Sequence, residues 1–135
     1  MKVVLDTNVL VSGIFWKGKP SSVLDRWAKD EIQVFMTTEI LKEVRETLTE
    51  LDRTPDKALS RHWLLFILEN STILSCKTTV KVCRDPNDDK FLDCALSAGA
   101  KYIVSGDNDL LSLTRFQSIE IVNPAVFLGI LNKQR

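Results

Sequence analysis

The chain has 135 residues, enough to bury a sizeable core as one domain spanning residues 1–135. Hydrophobic residues at 44% and charged residues at 27% are ordinary for a globular protein, and eighteen basic against eighteen acidic side chains leave no global positive field, so any nucleic-acid contact must come from a local patch. Cys76, Cys83 and Cys94 lack metal or redox spacing and read as free thiols, the single histidine (His62) argues against a histidine-rich zinc site, and no apolar run reaches the roughly 18 residues of a membrane span. A core strand begins at the second residue, so no signal peptide is expected and a cytoplasmic location follows.

Residues 2–6 read as the first strand: Val3, Val4 and Leu5 form a short apolar run that stops on Asp6. Residues 9–15 suit a short helix, and Trp16 to Pro20 a loop. Ser21 is placed to cap a helix whose apolar face is Val23, Leu24, Trp27 and Ala28. Ile32 to Met36 follows as a strand, and Thr37 or Thr38 caps a helix carrying Ile40, Leu41, Val44, Leu48 and Leu51 at helical spacing. Another helix starts at Pro55. Its apolar residues between 59 and 68 serve the core or an interface between copies. Thr72 to Val82 is extended, strand or loop.

Arg84 to Asp89 is a polar turn that opens a helix from about Asp88 to Ala98, with Gly99 at the left-handed C-cap position. Tyr102 to Ser105 is a strand followed by Gly106, Asp107 and Asp109. A short helix near Asp109 to Leu113, a strand from Ile119 to Val122 and a helix from about Pro124 to Leu131 complete the order. This alternation predicts the α/β class: a three-layer domain with a central, mainly parallel sheet of four or five strands.

Acids mark this pattern. Asp6 and Asp107 each follow a strand, at the end of the sheet where ligands bind in open α/β folds. Asp88 and Asp89 stand at a helix start, where the dipole favours negative charge and where an acid is often only a cap. Glu43 borders the buried stripe of its helix. A buried acid is costly unless paired, and carboxylates crowded into one cleft repel each other until a cation relieves them. Oxygen-only ligands suit Mg²⁺ or Mn²⁺. Asp93 lies about 140° around its helix from Asp88 and is assigned to solvent.

The ordered stretches DTNVLVSG, TTEILKEVRETL, DPNDDKFLDCALSAGA, YIVSGDNDLLSL and IEIVNPAVFL resemble the PIN domain, and most of all its bacterial and archaeal branch of toxins from toxin–antitoxin pairs. The resemblance runs over nearly the whole chain. It implies a metal-dependent ribonuclease acting on single-stranded RNA, with Mg²⁺ or Mn²⁺ as cofactor. It also implies a catalytic and metal-binding quartet of Asp6, Glu43, a third acid and Asp107, with Asp109 as a helper. The helix pattern favours Asp88 as the third acid, whereas counting back from Asp107 favours Asp89. Thr7 and Asn8 match the small polar residues that hold the first acid, and Ser105 stands where the family often has Thr. Lys17, Lys19 and Arg84 are placed to hold phosphates. Trp16 reads as packed against the domain, with stacking on a base as the alternative. A cognate antitoxin protein and a homodimer are partners the resemblance admits; no membrane partner is expected, since no apolar run is long enough to span one. The competing functions are another metal-dependent phosphohydrolase and a non-catalytic module that binds RNA or protein.

Overall fold

The computed structural model describes residues 1–76 and 79–134. Its elements run β1 (Lys2–Leu5), α1 (Thr7–Phe15), α2 (Lys19–Ala28), β2 (Gln33–Thr37), α3 (Thr38–Leu51), α4 (Ala58–Asn70), β3 (Ser71–Leu74), α5 (Asp89–Ala98), β4 (Tyr102–Val104), α6 (Asn108–Leu111), β5 (Arg115–Phe116), β6 (Ile119–Val122) and α7 (Pro124–Lys133). Short 3-10 turns at Pro55–Lys57 and Pro86–Asp88 lead into α4 and α5.

One sheet has the order β3-β2-β1-β4-β6-β5, with every pair parallel except β5 with β6. The α/β class and the mainly parallel sheet are as the alternation of elements predicts. The strand count is six rather than four or five. The sixth, β5, is only two residues long and too short to carry a periodic signal. It is framed by Thr114 and Gln117, both with positive φ. β1 lies at the centre between β2 and β4, with Val3, Val4, Leu5, Ile103 and Val104 all but inaccessible to solvent. Strands buried on both faces lose the alternation of a half-exposed strand and become short apolar runs. That is why VVL and YIV stand out in the sequence.

Local signals hold at several boundaries. Thr37 caps α3 by accepting the Ile40 N–H at 3.2 Å. Gly99 ends α5 at φ 65°, in the left-handed region. Ser21 does not cap α2. That helix starts at Lys19 after Gly18, and Pro20 sits in its first turn, where the missing N–H is no loss. The first part of the ambiguous stretch, Ser71–Leu74, is the parallel edge strand β3. Lys77 and Thr78 within it lie outside the described residues. Helix α4 divides its apolar residues. Ile67 is buried and Trp63, Leu64 and Phe66 pack against the core, whereas Leu65 and Leu68 are 57% and 55% exposed.

Gly13 sets how closely α1 approaches α2. A Cβ built there would lie 2.7 Å from Leu24 Cδ1 and 2.9 Å from the Pro20 carbonyl oxygen. Backbone does not yield as a side-chain tip does. Gly13→Ala is therefore expected to destabilise the protein by about 1–3 kcal/mol, despite the better helix propensity of alanine. Urea denaturation of the two proteins measures this, and a more stable alanine variant would refute the close-packing account.

Candidate active site

The register Leu5↔Val104 makes Asp6 and Ser105 the first residues beyond two adjacent parallel strands. The Asp6 N–H continues the ladder, donating to the Val104 carbonyl at 3.0 Å. The Asp6 carboxylate is buried and held on both oxygens: Oδ1 accepts the Val9 N–H at 2.7 Å, capping α1, and Oδ2 accepts a short bond from Ser105 Oγ. Ser105 Oγ in turn accepts the Asp107 N–H at 2.9 Å, and Asp107 Oδ2 accepts the Leu110 N–H at 3.2 Å, capping α6. One fully buried serine thus couples the two strand-end acids.

A cleft of about 240 Å³ collects Asp6, Glu43, Asp88 and Asp107, with Thr7 and Asn8 from the start of α1. Asp85, Asn87 and Phe91 also line it, none of which the sequence pattern assigns to the site. Carboxylate oxygens of Asp88, Asp107 and Asp109 all lie within 4.8 Å of one another. Thr7 Oγ1 is buried and has no hydrogen-bond partner among the described residues. Asp88 occupies the N-cap position of α5 but makes no capping bond; its carboxyl turns to Asp107 instead.

Burial and the Asp107 carboxylate, followed by Asp85, push Asp88 up to about 7, with Lys90 acting in the opposite direction. Asp6 is also raised, mainly by burial, against the lowering effect of Ser105 and the Val9 and Gly106 N–H groups. Lys90 escaped the sequence analysis. It is only 8% exposed, its Nζ lies 2.5 Å from Glu43 Oε2 and its charge sits 5.3 Å from the centre of the Phe91 ring. A buried lysine needs a partner. Its place in the sequence carries no such signal, because a lysine at a helix start reads as a solvated charge.

Asp89 does not stand with the cleft acids. Its Oδ1 accepts the N–H groups of Val82 at 3.1 Å and Cys83 at 2.8 Å. Burial opposes ionisation there, but those bonds and the Cys83 thiol hold Asp89 below its ordinary range. The Cys83 thiol is itself pushed up to about 12 by burial and by Asp89, which leaves it unreactive. Asp93 is not a solvent-facing residue. It is 5% exposed and accepts the Thr79 N–H at 3.1 Å, the Thr79 hydroxyl at 3.2 Å and the Val80 N–H at 3.3 Å. Asp89 and Asp93, one turn apart, supply acceptors to the backbone of Thr79, Val80, Val82 and Cys83, which has no strand partner among the described residues. The helical-wheel angle from Asp88 gave no view of that segment.

The basic residues divide. Lys19 lines a second cavity that shares Asn8 with the acid cleft. Lys17 and Arg84 are exposed and line neither cavity. Trp16 is 62% exposed, with only a tilted contact to Phe15 at 5.8 Å between ring centres, so it is not packed against the core. Among the described residues no helix is long and apolar enough to cross a membrane.

Residues 2–109 match the PIN domain, and the chain belongs to that family, whose members are as a class nucleases. An uncharacterised protein of Methanocaldococcus jannaschii is 35% identical over 119 residues, covering 84% of this chain and 75% of that protein. Similar folds occur in PAE2754 of Pyrobaculum aerophilum (TM-score 0.66, 18% identity, 99% of this chain and 91% of that one) and in VapBC2 of Rickettsia felis bound to a DNA fragment from its promoter (0.62, 16%, 91% and 98%). FitAB bound to a DNA fragment is a further match (0.60, 12%, 90% and 94%).

The two helix-start acids make opposite pH predictions in the presence of EDTA. Asp88 rises from an ordinary 3.8 to about 7, so over that interval the native state binds more protons than the unfolded chain and stability falls as pH rises. Asp88→Asn should flatten that fall. Asp89 is lowered, so its contribution is present above the unfolded value and lost as pH falls through the folded one. Asp89→Asn should lower the melting temperature at neutral pH, with the gap to wild type closing in acid. Thermal melts from pH 3 to 8 check both signs.

Proposed function

We propose that this PIN-domain chain is an endoribonuclease that cleaves single-stranded RNA with Mg²⁺ or Mn²⁺, as the toxin of a toxin–antitoxin pair. The observation that carries the reading is the meeting of Asp6, Glu43, Asp88 and Asp107, from four separate parts of the chain, in one cleft. The donor set fits a hard divalent ion: carboxylate oxygens of Asp88, Asp107 and Asp109 within 4.8 Å of each other, Asp6 and Glu43 lining the same cleft as Asp88 and Asp107, an unpartnered Thr7 hydroxyl, and no cysteine or histidine among the lining residues. Asp6, Glu43, Asp88 and Asp107 would hold the ion, with Asp109 beside them. When bound, such an ion supplies charge against the phosphate and lowers the pKa of a water.

The chain's own residues do the rest. The Val9 N–H and Ser105 fix Asp6, so no rotamer freedom is left to lose when it engages a ligand. Lys90 fixes Glu43 and places an ammonium beside the acids. Lys19, and more distantly Lys17 and Arg84, are the side chains available to RNA phosphates. The antitoxin partner is supported by the VapBC2 and FitAB neighbours, and by Leu65 and Leu68, which leave one side of α4 apolar and uncovered. A homodimer through that side is the alternative assembly. Light scattering of the purified chain, alone and co-expressed with the product of an adjacent small reading frame, separates the two.

The central test is cleavage of a mixed-sequence single-stranded RNA in millimolar Mg²⁺ or Mn²⁺, paired with thermal melts in EDTA and in metal. Wild type should cleave only with metal and gain stability from it, about 2.7 kcal/mol at a hundredfold excess over Kd. Asp6→Asn should lose at least about 100-fold in rate, beyond the 10–100-fold typical of a residue outside the ligand set, and most of the metal shift. Equal cleavage by wild type and Asp6→Asn would overturn the reading. Salt dependence tests the phosphate contacts. Each phosphate neutralised on a single strand adds about 0.7 to the log–log slope of affinity against salt. Replacing Lys17 and Lys19 together by alanine should therefore flatten the slope by about one unit, and an unchanged slope would remove both lysines from the RNA path.

A further inference from the structure

We infer that the cavity beside the acid cleft seats one unstacked nucleobase of the RNA, that of a nucleotide next to the scissile phosphate. The inference rests on the nuclease reading for its orientation, but not for its existence. The cavity holds about 400 Å³, against about 240 Å³ for the cleft, and falls within the range of small-molecule sites. Val9, Pro20, Pro124 and Ala125 give it apolar walls, and Ser12 and Lys19 give it polar groups.

Three observations connect it to the cleft. Asn8 lines both cavities. Gly106, on the cavity wall, is the residue between Ser105 and Asp107. A Cβ added at Gly106 would meet no atom within 4 Å, so the space at that junction is open. The side chains of Asn8, Ser12 and Lys19 make no hydrogen bond or ion pair among the described residues and are available to a ligand. Another cavity that touches the cleft is lined by Glu39, Lys42, Glu43, Glu46, Asn87 and Lys90, and offers a base no apolar side chain to pack on.

An apolar slot with a few polar groups is what a base needs: faces to pack on and donors or acceptors at its edge. Lys19 at the rim suits the phosphate of the same nucleotide. Only a single strand can turn a base out of its stack at little cost, so this slot selects unpaired RNA where a carboxylate cluster alone would not.

The experiment is an NMR titration of the full chain in EDTA with the four nucleoside 5′-monophosphates and, separately, ribose 5-phosphate. At millimolar ligand the nucleotides should shift the amides of Ser12, Lys19, Gly106 and Ala125 in a saturable way. Ribose 5-phosphate should bind about tenfold more weakly, the loss expected when roughly 50–60 Å² of base no longer packs on the apolar walls. Ala125→Trp, at an exposed position, should fill the slot and weaken the nucleotides about tenfold, and Ala125→Phe serves if the tryptophan variant does not fold. Shifts elsewhere or nowhere, or ribose 5-phosphate binding as well as the nucleotides, would overturn the base slot. If the cleavage test fails while this binding persists, the nuclease reading falls and the slot stands; the reverse pattern removes the slot alone.

Discussion

Mutual repulsion of carboxylates is the constraint around which the rest of this structure is arranged. Two unit charges at 4.8 Å, the spread of the Asp88, Asp107 and Asp109 oxygens, repel by about 3 kcal/mol at an effective dielectric near 20, before solvent and protonation reduce it. A protein of ordinary stability tolerates few such terms. Each acid here is relieved differently. Asp6 receives a backbone N–H and a serine hydroxyl, Glu43 receives an ammonium, and Asp88 keeps its proton to about pH 7.

The frame that resists this repulsion is the buried centre of the sheet. A one-residue slip between β1 and β4 would turn every side chain of one strand to the other face, and with Val3, Val4, Leu5, Ile103 and Val104 all buried, such a slip is strongly opposed. The register therefore fixes Asp6 beside Ser105, and Ser105 fixes Asp107. α5 approaches from the side with a division of labour along one turn. Asp88 faces the cleft, Lys90 ties Glu43, and Asp89 and Asp93 hold the backbone of residues 79–83. Losing the last two would loosen the segment entering the Pro86–Asp88 turn and so the placement of Asp88.

What was legible in the sequence is what one strand or one helix decides by itself. The two strand-end acids, the Thr37 cap and the Gly99 stop follow from local periodicity and backbone chemistry. What was not legible depends on what lies across from a side chain. Asp88 and Asp89 are adjacent and alike, and only the positions of Asp107 and of the Val82–Cys83 backbone separate their roles. Asp93 was assigned to solvent because a helical wheel contains no neighbouring loop. Lys90 was overlooked because lysine at a helix start reads as a surface charge until Glu43 is seen opposite it. Trp16 erred in the other sense: a large aromatic is expected to be buried, and here the loop before α2 holds it out.

The neutral net charge of the chain has a consequence under the proposed function. Five acidic side chains, Asp6, Glu43, Asp85, Asp88 and Asp107, against the one ammonium of Lys90 make the cleft a site that repels phosphate, and no global positive field offsets it. An RNA drawn in by distant cations would stall at the acids. Affinity must therefore come from the flank, through Lys19 and the apolar slot it borders, while the cleft accepts the phosphodiester only once its own charge is compensated. That separation places recognition and chemistry on adjoining surfaces joined at Asn8 and Gly106. It also explains why a protein with so few clustered cations can still suit a polyanionic substrate: the carboxylates that exclude the phosphate in the absence of a cation are the ligands that admit it in the presence of one.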